Sequence, residues 1–228
     1  SFPESFEESS IILAANGFLI TLEPNTKKNP PTPFTTSTLQ QDANRRYHWS
    51  AKQTMYVAQQ LYEGIDLGDD GQVGLITYMR TDSVSLADEA INEIRGFIAD
   101  KYGKEMVPGK PQEYKTKSKG AQEAHESIRP TEAMRTPESI KSYLDPRQYR
   151  LYDLIWRRAV ASQMADAELL KTKITATINI GEIPDFYAHG SRTLFDGWLK
   201  VDSQARGDDV ELPKVNVGEK LTLVEVRS

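Results

Sequence analysis

The sequence predicts an α+β protein, in which a mainly helical domain with a short sheet, of helix-turn-helix or winged-helix type, is inserted into an antiparallel β domain. Helical apolar patterns fill the middle of the chain, whereas residues 11–22 and the residues after Leu169 carry strand patterns. Strands at both ends most simply pair with each other. We therefore expect a discontinuous β domain over 1–32 and 160–228 and a helical domain over 33–159.

The N-terminal part reads as a hairpin followed by two helices. Residues 11–22 have a turn signal at Asn16–Gly17, and the proline-rich segment 23–33 has the composition of a domain boundary. The first helix, capped within 35–37, is expected to end near Tyr47. A second, capped by Ser50, covers 51 to about 62, and the short connection is typical of a helix-turn-helix.

The pattern continues with a loop, a strand, three helices and a second group of strands. Residues 64–74 are glycine-rich and acidic, which indicates a loop before the strand at 75–78. The further predicted elements are a helix capped by Ser85 and ending near Tyr102, a polar loop at 101–120, an extended segment at 125–130, a short helix near 137–144, a longer helix over 146–164, strands at 171–180 and from 186, and a last strand at 220–226.

Composition excludes several classes of protein. The chain has 38% hydrophobic and 27% charged residues, and no apolar run approaches the roughly 20 residues that a membrane helix needs. It contains no cysteine, which excludes disulfides, thiolate zinc sites and thiol nucleophiles. The acidic start lacks the basic and apolar regions of a secretory signal. We therefore expect a cytoplasmic protein.

The acidic charge is concentrated at the two ends of the chain. The formal net charge is −5, but residues 27–158 hold 20 Lys and Arg against 18 Asp and Glu, whereas the flanks hold 8 against 15. A near-neutral middle can contact DNA if its cations cluster on one face, but it predicts no strong nonspecific binding. Charge alone therefore does not indicate a nucleic-acid partner.

The most informative segment is residues 74–83, where a short apolar run leads into Tyr78 and Arg80. On an extended strand, residues two apart share a face and lie roughly 6 to 7 Å apart. A phenol beside a guanidinium can attack a phosphodiester and hold its oxygens. The alternative is an amphipathic strand with a half-buried tyrosine and a solvated arginine.

Three blocks of this sequence resemble the type IA DNA topoisomerases, in their bacterial topoisomerase I form. Residues 78–83 (Tyr-Met-Arg-Thr-Asp-Ser) are similar to the active-site segment of that family. Residues 33–41 (Pro-Phe-Thr-Thr-Ser-Thr-Leu-Gln-Gln) resemble its upstream helix-opening segment, and residues 122–131 resemble its histidine block. The blocks follow in the family's order, and Met79 favours topoisomerase I over topoisomerase III or reverse gyrase.

The resemblance implies a domain assignment and a reaction. The helical domain corresponds to the one that carries the nucleophile, and the flanking strands correspond to the family's β arch domain. Tyr78 would attack single-stranded DNA by transesterification and become joined to the 5′ phosphate, without ATP, so that strand passage relaxes negative supercoils. Arg80 would hold the phosphate and its developing charge.

Two residues of the third block are candidate phosphate-binding residues. The resemblance places His125 near the scissile or an adjacent phosphate, and the neighbouring carboxylates could keep it cationic. Arg129 could act in the same way. The structural alternatives are a surface histidine and an ion pair of Arg129 with Glu126 or Glu132.

Other polar residues are predicted to be structural. Residues 81–83 are better placed for capping and local hydrogen bonds than for chemistry. His48, between two predicted helices, and His189, in a β-rich flank, are expected to be surface or capping residues.

The family also uses an acidic module that holds Mg²⁺, and the sequence contains no such module. Asp69–Asp70 and Asp208–Asp209 lie in predicted turns rather than at the end of a buried strand. We therefore expect a fragment whose partners are single-stranded DNA and the missing metal-binding and DNA-binding domains, with no membrane contact, acting at the bacterial nucleoid. Alone, it should not relax supercoiled DNA.

Two other functions stay open from the residues themselves. One is a helix-turn-helix DNA-binding module without chemistry, in which Tyr78 would be dispensable. The other is a structural or partner-binding α+β module, which the acidic flanks favour and which predicts no affinity for single-stranded oligonucleotides at low salt.

Overall fold

The computed structural model describes residues 11–12, 18–114, 126–176, 185–206 and 209–212. The chain divides into two compact units, of which the first contains 1–28, 167–196 and 206–228 and the second contains 29–166 and 197–205. Among the described residues, no helix combines the length and the apolar composition needed to cross a membrane.

Helices and strands both contribute, so the predicted α+β class is confirmed. In chain order the elements are β1 (Ile11–Ile12), β2 (Phe18–Lys28), α1 (Thr36–Tyr47), α2 (Ala51–Glu63), β3 (Ile65–Asp66), β4 (Gln72–Val73), α3 (Asp88–Tyr102), α4 (Pro146–Ser162), β5 (Ala167–Ala176) and β6 (Phe186–Phe195). Single turns of 3₁₀ helix add to these, and the segment Pro137–Tyr143 is 3₁₀ rather than α-helical.

The first unit contains a four-stranded antiparallel sheet in the order β1-β2-β5-β6. Strands from the two ends of the chain pair directly, with Leu22 opposite Thr172, as the sequence predicted. The strand is longer than predicted, because β2 continues to Lys28, and the division between the two units after Lys28 lies within the segment 23–33. A register shift between Glu23 and Thr26 accommodates Pro24, because a bulge frees the strand from needing the backbone N–H that proline lacks.

Several predicted features of this unit lie outside the described residues. These are the turn at 16–17, the end of the strand over 177–180, the turn at 181–184, Asp208 and the strand at 220–226.

The first two predicted helices of the second unit are confirmed. The side chain of Thr35 caps α1 by accepting from the Thr38 backbone N–H, and Ser50 caps α2 by accepting from Gln53 N at 3.2 Å. His48 ends α1 in the left-handed region with φ 57°, and its N–H donates to Asn44 O at 2.8 Å. The tight connection between α1 and α2 depends on this capping histidine.

Two local predictions in the second unit are wrong. Residues 64–74 are not a plain loop but contain the small antiparallel hairpin β3–β4. The N-cap of α3 is Ala87, without a side-chain cap, rather than Ser85. The Ser85 carbonyl instead accepts a hydrogen bond from Ser127 N at 2.8 Å, because this stretch of backbone runs beside the 126–131 segment before the helix begins.

Helix α4 is the centre of the apolar core of the second unit. Its inner face packs with α1, α2 and α3, and the Trp156 indole N–H donates to the Ala133 carbonyl at 2.9 Å while its ring meets Phe97 edge-on. Fully buried side chains of this core are Phe34, Leu39, Leu61, Leu75, Ile76, Met79, Ile94, Ile98, Ile128, Leu151, Tyr152 and Ile155.

A buried ion cluster joins α1 to α4 and to the returning segment 197–205. Asp42 is 5% exposed and lies 2.8 Å from Arg158 and 3.5 Å from Arg46, and Arg46 in turn pairs with Asp202 at 2.7 Å. Burial raises the pKa of the Asp42 carboxyl, but Arg46, Arg158 and Arg45 together bring it below its ordinary value. The cluster is therefore ionised and paired in the folded unit.

Candidate active site

The segment 74–83 begins in close contact with the C-terminal end of α2. Leu75 N donates to the Leu61 carbonyl at 2.8 Å. Gly74 lies so close to α2 that a Cβ there would come within 2.9 Å of the Tyr62 carbonyl oxygen. A side chain at position 74 would therefore push the tyrosine segment away from the helix.

The same segment pairs with the third resemblance block. Ile76 and Pro130 form an antiparallel bridge, and Thr77 N donates to the Arg129 carbonyl at 2.9 Å. The Thr77 hydroxyl donates to Ser127 O at 2.7 Å and accepts from Arg129 N at 3.0 Å. The backbone on the N-terminal side of Tyr78 is thus fixed by one threonine.

The N-terminus of α1 holds the other side of the tyrosine. The Thr36 hydroxyl donates to Met79 O at 2.8 Å and accepts from Thr81 N at 2.9 Å, while Thr36 N donates to Thr81 O at 2.9 Å. Phe34, two residues earlier, forms an antiparallel bridge with Ile128. The three blocks that the sequence separates by tens of residues therefore meet at one place.

The functional groups of the segment point into solvent. Tyr78 is 50% exposed and Arg80 is exposed, whereas Met79 between them is 1% exposed and belongs to the core. The predicted continuous strand is wrong, because backbone pairing passes from the 126–131 segment to Thr36 and the chain bends at 77 and 79. Two successive partners replace the single neighbouring strand that a regular β-strand requires.

Arg80 and Arg129 differ in what their guanidinium groups contact. Within the described residues, Arg80 makes no ion pair or hydrogen bond. Arg129 binds both oxygens of Glu126, at 2.6 and 3.0 Å, and donates to Pro130 O at 2.8 Å. The ion-pair alternative for Arg129 is thus realised with Glu126, which also accepts from Ala87 N at 2.8 Å.

The phenol ring of Tyr78 has one aromatic neighbour among the described residues. The ring of Tyr62, in the last turn of α2, lies 5.4 Å away between centroids, with 63° between the planes. His125, the second candidate of the third block, lies outside the described residues.

The Thr-Asp-Ser cluster serves local structure, as the sequence predicted for 81–83. The Thr81 hydroxyl accepts from Ser83 N at 3.0 Å, and the Ser83 hydroxyl accepts from Ser85 N at 3.1 Å. Asp82 between them is exposed. These two side-chain bonds shape the turn that leads into α3.

The described residues do not fit a magnesium site. No group of three His, Asp or Glu side chains comes together anywhere in the described ranges. Asp69 and Asp70 lie in the 3₁₀ turn between β3 and β4, where Asp70 is 3.6 Å from Arg135, and Asp209 accepts from Thr193 N at 3.1 Å.

Sequence reasoning missed the residues that hold the tyrosine in place. The sequence marks Thr36 only as a candidate helix cap, and it marks neither Thr77 nor Tyr62 as a site residue. Thr36 lies inside the first resemblance block and Tyr62 lies at the end of the second predicted helix, but neither position alone shows what the residue contacts.

Comparison with known proteins indicates the family of this chain. A family model described as DNA topoisomerase matches residues 19–228. The chain is 48% identical over 208 residues to a protein named DNA topoisomerase 1 from Xylella fastidiosa strain 9a5c, and 47% identical to the protein of that name from strain Temecula1. In each case the match covers 88% of this chain and 25% of the relative.

A solved structure extends the comparison to the fold. Full-length topoisomerase I from Thermotoga maritima superposes with a TM-score of 0.73 at 35% identity, over 95% of this chain and 33% of that one. Fold, convergent blocks and matches together place the chain in the DNA topoisomerase family. The chain belongs to the bacterial type IA family, as a fragment that spans about a quarter of the length of the curated relatives it matches.

Proposed function

We propose that Tyr78 is the nucleophile of the full-length enzyme and forms a 5′-phosphotyrosine bond with single-stranded DNA. The observation that carries this proposal is a half-exposed phenol and, two residues away, an exposed guanidinium with no partner among the described residues, on a backbone segment held from both sides. Preorganised groups that remain open to solvent are what a phosphodiester needs in order to approach.

The proposed reaction is a transesterification. The Tyr78 oxygen forms a bond to phosphorus, the bond from phosphorus to the 3′ oxygen breaks, and that oxygen leaves as a hydroxyl after taking a proton. The phenol must give its own proton to water or to a base as it attacks. The Arg80 donors, which bond to no described residue, can bind the phosphate oxygens, so its charge offsets the charge that develops there.

His125 and Arg129 are proposed as supporting phosphate-binding residues. His125 is next in sequence to Glu126, the first described residue of the histidine block, whose carboxylate is held by Arg129 and by Ala87 N. Because Glu126 occupies two donors of Arg129, we assign Arg129 a weaker contact to DNA than Arg80.

The remaining assignments follow from the family. We propose that the first compact unit contributes to the β arch domain and that the second is the tyrosine domain. In the whole enzyme, Mg²⁺ would be held by a module absent from this segment, and strand passage would relax negative supercoils at the bacterial nucleoid.

A covalent-trapping experiment with the full-length enzyme tests the proposal. Single-stranded oligonucleotides labelled at the 5′ or the 3′ end are incubated with enzyme and denatured. Protein should carry only the 3′-labelled product, since the phosphate that stays on Tyr78 belongs to the downstream fragment. Tyr78→Phe should abolish the adduct while DNA binding persists, and Tyr56→Phe, at an exposed tyrosine of α2, should leave it unchanged. An adduct that survives Tyr78→Phe would refute the assignment.

The isolated 228-residue chain is proposed to be inactive alone. Supercoiled plasmid incubated with the chain and Mg²⁺ should keep its linking number, whereas full-length enzyme should relax it. Relaxation by the isolated chain, lost on Tyr78→Phe, would overturn this part of the proposal while supporting the nucleophile.

A further inference from the structure

We infer that Tyr62 is a positioning residue, whose ring holds the phenol of Tyr78 in its attacking orientation. The inference rests on the proposed function of Tyr78. The two rings lie 5.4 Å apart in an edge-to-face arrangement, the geometry in which the electron-poor edge of one ring meets the electron-rich face of the other.

Tyr78 needs such a contact because its backbone bonds do not fix its ring. Thr77 and Thr36 hold the chain on both sides of the residue, but the side chain still turns about its own two torsions. Its hydroxyl makes no hydrogen bond within the described residues, and half of the side chain is exposed. Rotation about the Cα–Cβ bond would move the nucleophilic oxygen by several ångströms, and in-line attack does not tolerate that.

Tyr62 can serve because the two tyrosines lie on elements joined by short, fixed contacts. Leu61 O accepts from Leu75 N at 2.8 Å, and Gly74 permits a backbone approach to Tyr62 O that any side chain would prevent. Tyr62 is 40% exposed, so its ring lies at the surface beside Tyr78 rather than in the core. The end of α2 therefore holds the Tyr62 ring at a fixed position beside Tyr78.

An exposed aromatic ring beside a DNA-cleaving residue could instead stack on a base. Stacking would stabilise bound DNA, so its loss would weaken affinity. Positioning acts on the reacting group, so its loss would slow cleavage of bound DNA while affinity stays unchanged. The two roles therefore separate when affinity and single-turnover rate are measured on the same variants.

The test uses the full-length enzyme and one single-stranded oligonucleotide. Single-turnover cleavage is measured for Tyr62→Leu and Tyr62→Phe, and oligonucleotide affinity is measured by fluorescence anisotropy for Tyr62→Leu in a Tyr78→Phe background. We expect Tyr62→Leu to cleave about two- to tenfold more slowly, the range that an aromatic pair supports. Tyr62→Phe should restore the rate, and affinity should be unchanged.

Matched controls keep the outcomes distinct. Tyr56 lies on the same helix about 120° away and is 65% exposed, so Tyr56→Leu should leave both readouts unchanged. An unchanged rate in Tyr62→Leu, or a fall in affinity as large as the fall in rate, would overturn the inference. If Tyr78→Phe itself still cleaves, the proposed function fails instead. If it does not, a neutral Tyr62→Leu refutes only the positioning role.

Discussion

The Asp42 cluster and the Tyr78 segment differ in the environment of their polar side chains, which are buried and paired in the cluster and exposed in the segment. In the cluster, Asp42 is surrounded by arginines and almost fully buried, and Arg46 completes its bonding through Asp202. Along the segment, Tyr78 and Arg80 are exposed, and the threonines beside them bond only to the backbone. Charged side chains that hold helices together are paired with each other, whereas the side chains that we propose to contact DNA are exposed to solvent.

The same contrast separates the two arginines of the active-site region. Arg129 is 15% exposed on its side chain and bound in a bidentate manner by Glu126, whereas Arg80 is exposed. Resemblance to a family names both residues, but only the structure shows that Arg129 is paired while Arg80 has no partner among the residues that the structure describes.

Loss of the Arg80 guanidinium should have the largest effect on activity. Arg80→Ala in the full-length enzyme should slow single-turnover cleavage by about 10²- to 10³-fold, the cost of removing one donor to a transition-state charge. The cleavage rate of Arg80→Lys should lie between those of Arg80→Ala and wild type, because an ammonium group keeps the positive charge but lacks the planar arrangement of donors. Arg147→Ala, at an exposed arginine of α4, is the control. A rate within twofold of wild type for Arg80→Ala would contradict a phosphate contact.

Loss of the buried carboxylate should have the largest effect on stability. Asp42→Ala leaves Arg158 and Arg46 without a shared partner in the core, so the unfolding free energy should fall by about 3 to 5 kcal/mol. Urea unfolding of this chain measures the change. The exposed pair Glu138–Lys141 provides the control, and Glu138→Gln should leave the midpoint near that of wild type.

The cluster should also set an acid limit to stability. Because the folded pKa of Asp42 lies below its ordinary value, its contribution is complete above about pH 4 and is lost as pH falls through the folded pKa. Stability of wild type should therefore fall more steeply with acid than that of Asp42→Asn. Equal slopes would mean that Asp42 is not ionised and paired in the native unit.

Replacement of Thr36, whose hydroxyl holds the tyrosine segment, should have an intermediate effect. Thr36→Val keeps the shape of the side chain but leaves Met79 O and Thr81 N without their partner, which should cost about 1 to 3 kcal/mol. Cleavage by the full-length enzyme should also slow, because the segment is no longer held. Ser37→Ala, at an exposed position of the same helical turn, should change neither stability nor cleavage.

The smallest effect concerns an exposed hydrogen bond far along the chain from the active-site segment. The bond to Glu138 raises the pKa of Tyr149 to about 12. Its contribution to stability should be present below about pH 10 and lost as pH rises through 12. NMR titration of labelled tyrosine rings should show Glu138→Gln lowering this pKa toward 10. An unchanged titration in that variant would contradict the bond.

Local sequence signals predicted the helices well because capping and apolar period act over a few residues. Ser50 caps α2 as its position indicated, and the fold class and the pairing of the terminal strands were predicted correctly. Ser85 did not become a cap, because its carbonyl pairs with Ser127, a partner more than forty residues away. The hairpin over 64–74 was missed because its strands are only two residues long.

The candidate site divides in the same way. Tyr78 and Arg80 were predicted from spacing and resemblance, and both prove exposed. Their supports were not predicted, because Thr36 and Tyr62 act through contacts that only the folded chain creates. Resemblance identifies which residues a family shares, whereas long-range geometry determines which of them hold the others in place.

The most direct test of the central proposal is to find the atom that carries DNA. Full-length enzyme trapped with a single-stranded oligonucleotide is digested with nuclease and trypsin, which releases the peptide 53–80 with Tyr56, Tyr62 and Tyr78. Fragmentation by mass spectrometry should place the residual nucleotide on Tyr78 alone. A nucleotide on Tyr62 or Tyr56, or on any other peptide, would contradict the assignment of Tyr78 as the nucleophile.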